Sequence, residues 1–477
     1  MSQTEHESAN RSHSPSDYSI RSLFSDIQLA PPEPSNPPTA MPQTPYPEPV
    51  RKQVNVADQP ASVSKVSVSG ISRIRPGFLN TLVSPVIRAQ TVEQAIDEAR
   101  EAAGKLVALG MAKGVAVIAD ADDGDQIKMH LQCENGPRYS ISTGFDMVET
   151  QGTASVVGKL YNIWGGAENL VVSYVRGVAS QARFRAVLDA PVLADPRRSV
   201  VAEVSQTLVA GRPHSSCDEL RRTLALAYRV HSATSTHDFG VQACWRDVHG
   251  LGSGASAALR RLAGHSLKSS VSYGVVHDTR DSALVPTTGR LLRMGLEVAG
   301  LGGDARFMRL TGDWQANRQV PGGCVLAAGV RGGLLWTPEF GASFISDRFF
   351  LGGSSSVRGF EHRGIGPREG GDSLGGDVFY ALGLSLLTPL PRWVPWESLR
   401  GHLWVNAGQC ALLGARGLQD SRDALRFLRS PSVATGIGLV YRHSMVRAEV
   451  SLCLPLAATA NDRPSAGVHF GLGLDFL

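Results

Sequence analysis

From about residue 137 to residue 477 the chain is written in strand-length segments whose apolar residues recur at every second position, and this alternation constrains the fold more than any other feature. In VRAEVSLCL, Val446, Ala448, Val450, Leu452 and Leu454 share one face, opposite Arg447, Glu449, Ser451 and Cys453. In VHFGLGLDF, Val468, Phe470, Leu472, Leu474 and Phe476 oppose His469, Gly471, Gly473 and Asp475. In VFYALGLSL, Val378, Tyr380, Leu382, Leu384 and Leu386 oppose Phe379, Ala381, Gly383 and Ser385. A soluble sandwich alternates as well, but it turns many Lys, Glu and Thr side chains to water. Here glycine, alanine and serine dominate the face opposite the apolar one, with occasional charges, which suits a crowded or water-filled lumen. The expected fold is an all-β transmembrane barrel, closed because a sheet edge in lipid has no water to satisfy its amides. About sixteen segments follow Tyr139, an even number as single-chain barrels use. Those between residues 160 and 230, ENLVVSYVRGV and RRTLALAYRVH among them, alternate less cleanly.

Composition agrees. Glycine is frequent (51 of 477 residues) and charge is sparse at 19%. No apolar run approaches the roughly 18 residues of a transmembrane helix, a test to which barrels are invisible. The net charge of +4, spread over 47 basic and 43 acidic residues, gives no basic patch for a nucleic acid, and none is expected as a partner. The six cysteines are scattered, without a CxxC, so neither a structural disulfide nor a zinc site is expected. The start, MSQTEHESANRSHSPSDYSI, has neither a basic n-region nor an apolar h-region. The expectation is a chain made in the cytosol and delivered to an organelle, without a secretory signal.

Three regions follow. Residues 1–62 are polar and broken by prolines (APPEPSNPPTAMPQTPYPEPV) and read as a disordered tail. Its Asn10-Arg11-Ser12 sequon reads as a chance match. Residues 63–136 read as a small α+β module: KVSVSG alternates, and TVEQAIDEAREAAGKLVALGM follows. That segment sets Val92, Ala95, Ile96, Ala99, Ala103, Leu106 and Val107 on one helical stripe. Thr91 is the expected cap and Gly110 the stop. The strands GVAVIADAD and QIKMHLQCEN then flank an Asp/Gly hairpin signal, DDGD. Residues 137–477 are the barrel.

Between two clean strand segments, CVLAAGVRGGLLW and DVFYALGLSLL, lies SVRGFEHRGIGPREGGDSLGG, residues 356–376, too long and glycine-rich for an ordinary connection. Glycines let such a loop turn sharply, and a planar guanidinium can reach a carboxylate inside the lumen. Arg358 is the candidate, with Asp377 a nearby acceptor. DRFFLGGSSSVRGFEHRGIGPREGGDSLGGDVFYALGLSLLTPLP resembles the signature region of the barrel-assembly, or bacterial surface antigen, superfamily, whose members join POTRA modules to a sixteen-stranded barrel. GHSLKSSVSYGVVHDTRDSALVPTTGRLLRMGLEVAGLGGDARF and the ending GVHFGLGLDFL are similar to its mitochondrial branch, the barrel subunits of the sorting and assembly (SAM/TOB) complex. The resemblance covers about residues 65–477.

The resemblance implies that Val357, Arg358, Gly359 and Phe360 form the motif that folds back into the lumen and braces it. Gly376-Asp377 matches the motif on the next strand. LWVNAG matches the strand after that, with Asn406 where bacterial relatives commonly carry aspartate. With one carboxylate fewer, Asp377 is the expected partner of Arg358 and Asn406 the second candidate. The module at 63–136 is similar to a single POTRA domain. The implied activity is insertion of β-barrel precursors into the mitochondrial outer membrane through a lateral gate between the first and last strands, with the module in the intermembrane space. The implied partners are barrel precursors, metaxin-like accessory subunits and the lipid bilayer, with no cofactor. Phe470, Gly471, Gly473 and Phe476 would belong to the gate strand. The two glycines either weaken the seam or make room for lumen contents.

Other readings are a protein-translocation channel or a passive solute pore on the same barrel. For an enzyme the signals fail. AGLGGDARF lacks a phosphate-binding context, Ser62-Val63-Ser64-Lys65 matches SxxK by chance, and no HExxH or similar metal spacing exists. His265 beside Ser266 has no acid that strand periodicity places with it.

Overall fold

The computed structural model describes residues 60–71, 73–122, 126–148, 151–177, 182–211, 214–338, 343–354, 356–390, 398–414, 420–443 and 446–472. The tail expected over residues 1–62 lies almost wholly outside them.

The first unit runs β1 (Ser62–Ser69), α1 (Pro76–Ile87), α2 (Val92–Ala108), β2 (Ala112–Ala121) and β3 (Gln126–Asn135). Its sheet has the order β1-β3-β2, with β1 parallel and β2 antiparallel to β3. Helix α2 starts as its sequence dictates, the Thr91 hydroxyl accepting from the Gln94 amide at 3.3 Å. Its buried residues, Ala95, Ala99, Ala102, Ala103 and Leu106, sit close to the expected stripe and cover the sheet. Helix α1 is an addition to the sequence reading. Pro85 falls inside it and interrupts any helical pattern, yet Pro76 opens it and Phe78, Leu82, Val83 and Val86 are buried. Pro85 has no amide for the Thr81 carbonyl one turn back, and the Ser84 hydroxyl donates to that carbonyl in its place (3.3 Å).

The remaining strands form one antiparallel ring. They are β4 (Tyr139–Val148), β5 (Gln151–Leu160), β6 (Asn169–Gly177), β7 (Ala182–Val192), β8 (Asp195–Ala210) and β9 (Asp218–His231). Next come β10 (Ser235–His249), β11 (Gly264–Asp278), β12 (Gly289–Gly303), β13 (Phe307–Val320) and β14 (Cys324–Trp336). After an insertion carrying the two-residue strands β15 (Arg368–Glu369) and β16 (Asp372–Ser373) follow β17 (Val378–Pro389), β18 (Leu399–Ala411), β19 (Ser432–His443), β20 (Val446–Ala457) and β21 (Gly467–Leu472). Sixteen strands pair in chain order around the ring, β21 returning to β4. Helices α3 (Ala257–Arg261) and α4 (Ser421–Arg429) lie in connections between them.

The ring is inside out relative to a soluble protein. Leu384, Leu452 and Leu454 are about half exposed on the outer wall, whereas Arg246, Lys268, Glu297, His402, Asn406 and Glu449 are buried on the inner one. The apolar faces read in β17 and β20 are therefore the outward faces, and they form the wall that lipid must cover. Among the described residues no helix is long and apolar enough to cross a membrane, which says nothing against strands doing so.

The first unit docks on one rim. The Arg75 guanidinium pairs with Glu168 in the β5–β6 turn, the Arg75 amide donates to Gly165 O (2.8 Å) and Asn162 Nδ2 donates to Arg73 O (2.8 Å). Ala167 and Ala194, both in turns of the barrel, join the module's own core cluster. The opposite rim carries the long connections: residues 250–263, 337–377, 412–431 and 458–466.

Candidate functional site: the lumen loop and the closing seam

The connection between β14 and β17 descends from the far rim into the ring and is held there at two places. Its leading limb forms a short 3-10 turn, Ile345–Asp347, whose Asp347 meets Arg246 of β10 fork to fork, at 2.6 and 2.7 Å. Lys268 of β11 stands 3.7 Å from the same carboxylate and 2.7 Å from Glu297 of β12, which also accepts from Gln242 and Ser270 at 2.8 Å. Burial alone would raise the Asp347 pKa, but the cationic Arg246 and Lys268 hold it down at about 2. One limb is thereby fixed to strands β10–β12.

The second limb is fixed to the opposite part of the wall. Arg358, 2% exposed, approaches Glu449 of β20 with Nε to Oε1 at 3.3 Å and a terminal nitrogen to Oε2 at 3.4 Å. Glu449 is shared: His402 Nδ1 of β18 lies at 3.0 Å, and Arg447 and Ser451 of β20 donate at 3.0 and 2.9 Å. The guanidinium also sits 5.2 Å above the ring of Trp404, a cation–π contact in a dry setting. Val357 and Phe360, both fully buried, anchor the apolar cluster with Leu351, Ile365, Trp404 and Ala434. Gly359 has φ +81°, and a Cβ there would lie 2.8 Å from the Ala434 Cβ, so the turn of the motif needs glycine on two counts.

The loop then reaches sideways along the far rim. Asp372 accepts from the amides of Ser216 (2.7 Å) and Ser256 (2.8 Å), tying it to the β8–β9 and β10–β11 connections. On the other flank, Phe360 bridges Pro464, the Glu361 amide donates to Arg463 O (3.0 Å) and the Ser465 amide to Gly359 O (2.8 Å). Residues 463–465 run directly into β21, so the motif itself is hydrogen-bonded to the lead-in of the last strand. The join between β21 and β4 contains, among the described residues, one pair, Gly471 with Val148. By contrast, β10 and β11 pair without interruption from Ser235/His277 to Val248/Gly264.

With this geometry established, likeness to known proteins becomes specific. Residues 172–476 match the model of the Omp85 superfamily domain. The chain belongs to the Omp85 superfamily. Over 447 residues it is 31% identical to the human sorting and assembly machinery component 50 homolog, covering 90% of this chain and 93% of that one. It is 30% identical over 435 residues to a SAM50-like protein of Schizosaccharomyces pombe, covering 88% and 91%. The fold is similar to that of BamA from Haemophilus ducreyi lacking POTRA domains 1–3, with a TM-score of 0.69 at 15% identity, over 87% of this chain and 84% of that chain.

Within this Omp85 barrel the sequence-derived partner of Arg358 needs correction. Asp377 instead accepts from Ser343 Oγ (2.6 Å) and the Leu413 amide (3.0 Å), with Arg348 at 3.9 Å, and so closes the base of the loop. Asn406 does touch the loop, but its Nδ2 donates to Ser356 O at 3.1 Å and does not bind the guanidinium. Proximity in sequence pointed to Asp377, whereas Glu449 lies 91 positions from Arg358 and is brought near by ring closure. Its signal was a lone acid on the inward side of VRAEVSLCL. Asp347, Arg246 and Glu297 were likewise missed, because nothing local links them. His265 does have an acid, Asp247 at 3.3 Å, its directly opposed cross-strand neighbour; His265 is exposed, Asp247 half-buried, and the pair lies outside the loop site. Of the gate residues, Phe470 points outward and Gly471 makes the seam pair, while Gly473 and Phe476 lie outside the described residues.

Proposed function

We infer that this Omp85 barrel is the outer-membrane insertase of mitochondria that assembles β-barrel precursor proteins and releases them laterally into the bilayer. The observation that carries the reading is the seam: among the described residues the ring's first and last strands pair at Gly471–Val148, and the lead-in of the last strand is held by the lumen motif. A strand edge freed at that seam offers amides and carbonyls to an incoming strand by β-augmentation. In lipid those groups have no other partner, so pairing and release are driven by backbone satisfaction and burial of apolar faces. No bond-making step and no cofactor belong to this reading. A passive pore fits less well, because the loop carrying the buried Arg358 and Phe360 is packed against the inner wall inside the ring.

The module at residues 62–135 is proposed to be a single POTRA domain facing the intermembrane space. Its helices over a three-stranded sheet at the rim of strand β4's start support that assignment. Metaxin-like subunits are proposed for the opposite rim, where the long connections gather.

The test is a disulfide between Val148→Cys and Gly471→Cys in the reconstituted chain, other cysteines replaced, against an oxidised control pair in the β10–β11 wall, Val241→Cys with Val271→Cys. The expected result is that locking the seam stops precursor insertion and precursor crosslinks to β4 and β21, while the wall pair changes neither. Insertion that persists with the seam locked removes the lateral-gate reading.

A further inference from the structure

We propose that helix α4 is an interfacial anchor that lies in the headgroup layer of the far-rim leaflet and binds anionic lipid phosphates. The proposal rests on the reading of the outer wall as lipid-facing.

The helix, SRDALRFLR, is capped by Asp420, whose carboxylate accepts from the Arg422 (2.8 Å) and Asp423 (3.0 Å) amides. At 100° per residue, Phe427, Ala424, Leu428 and Leu425 fall within one arc, shared only with the first residue, Ser421, and Arg429, Arg422 and Arg426 form the adjoining one. Such a division of a short helix, leucine beside arginine, suits a surface that is apolar below and anionic above. Leu425 and Leu428 are 51% and 61% exposed, and among the described residues none of the three arginines has an ion-pair partner.

What fixes the occupant is where the helix is attached. Tyr380 stands on β17 two residues from Leu382 and four from Leu384, on the same outward face. Its hydroxyl donates to the carbonyls of Phe427 (3.1 Å) and Leu428 (3.3 Å), and its ring meets Phe427 edge-on with centroids 5.1 Å apart. Gln409, the cross-strand neighbour of Tyr380, donates to Ser430 O at 3.0 Å. The last carbonyls of the helix are therefore satisfied from the outer wall. The helix rests against the lipid-facing band at its upper edge, the level at which tyrosine and arginine meet headgroups in membrane barrels. Its apolar arc continues the apolar band and its guanidiniums reach the phosphates above.

The experiment uses the full chain in vesicles of phosphatidylcholine, with or without phosphatidylglycerol. A fluorophore is attached at Leu428→Cys, and in a second sample at Leu384→Cys as a mid-wall reference, native cysteines being replaced and folding checked by heat-modifiable migration. The expected result is quenching of the Leu428 label by headgroup-proximal nitroxide lipid, protection from aqueous iodide, and a preference for the nitroxide-labelled anionic lipid. The triple change R422Q/R426Q/R429Q should reduce that preference at least about threefold. If iodide reaches Leu428 while Leu384 is quenched by lipid, the helix stands clear of the bilayer as a surface for a soluble partner and the proposal falls. Equal quenching by both lipids in native and triple-variant chains also overturns it. If Leu384 itself escapes lipid quenching, the lipid-facing wall is refuted as well. A photo-crosslinking residue at Leu428 in the chain with all cysteines intact gives a second measure, lipid adducts supporting the proposal and their absence opposing it.

Discussion

Glu449 gathers two guanidiniums, an imidazole and a hydroxyl around one carboxylate, and this sharing decides how substitutions should behave. Removing one partner of a buried pair leaves a charge without compensation, at a cost of about 3–5 kcal/mol. Arg358→Ala and Glu449→Gln should each lower the urea stability of the folded barrel by that order. A double-mutant cycle should give a coupling above ~1 kcal/mol for Arg358 with Glu449, and within about 0.5 kcal/mol of zero for Arg358 with Asp377. A large Arg358–Asp377 coupling would contradict the pairing described here. Asp347 supplies a pH signature. Its pKa falls from 3.8 to about 2 on folding, so the unfolded chain binds more protons in between. The stabilisation is full above about pH 4 and disappears as pH drops through about 2. Protease nicking of the loop should rise over that window in the native chain, and Asp347→Asn should show raised nicking already at pH 7. An unchanged nicking profile in the variant would remove Asp347 as an anchor.

At the scale of the element, the lumen loop is a strap with one end on β10–β12 and the other on β18–β20, joined along the rim to the segment before β21. Gly359→Ala combines a left-handed φ with contact against Ala434 and should cost more than ~1 kcal/mol. Because Gly359 O holds the Ser465 amide, the same change should speed hydrogen exchange at residues 463–465 before it affects β10 or β11. Exchange that rises equally everywhere would make the effect global and not a property of the strap. This is also where legibility in the sequence ended. The alternation in β17 and β20, the Thr91 cap and the glycine-rich loop were all readable, because each rests on interactions within a few residues. The inward acid that completes the site was visible as a residue on a face, but its meeting with Arg358 depends on which strands the ring brings across the lumen. Helix α1 was missed for the opposite reason: Pro85 breaks a helical pattern in sequence, whereas in the fold the Ser84 hydroxyl takes over the Thr81 carbonyl and the apolar face stays buried.

For the whole molecule, the distribution of apolar residues sets a condition on its own origin. The wall exposes Leu384, Leu452 and Leu454 outward and encloses Arg246, Glu297 and Glu449, so neither water nor bare lipid is a tolerable place for the unclosed chain. In water the outer face clumps; in lipid the open strand edges have nothing to bond. Any sixteen-stranded ring of this kind must pass through that state, and a catalyst of ring closure that is itself such a ring is among its own substrates. A membrane stripped of every copy would have no efficient route to the first new one, so this activity would be handed down with the membrane that contains it, by growth and division of existing compartments, as well as through the gene.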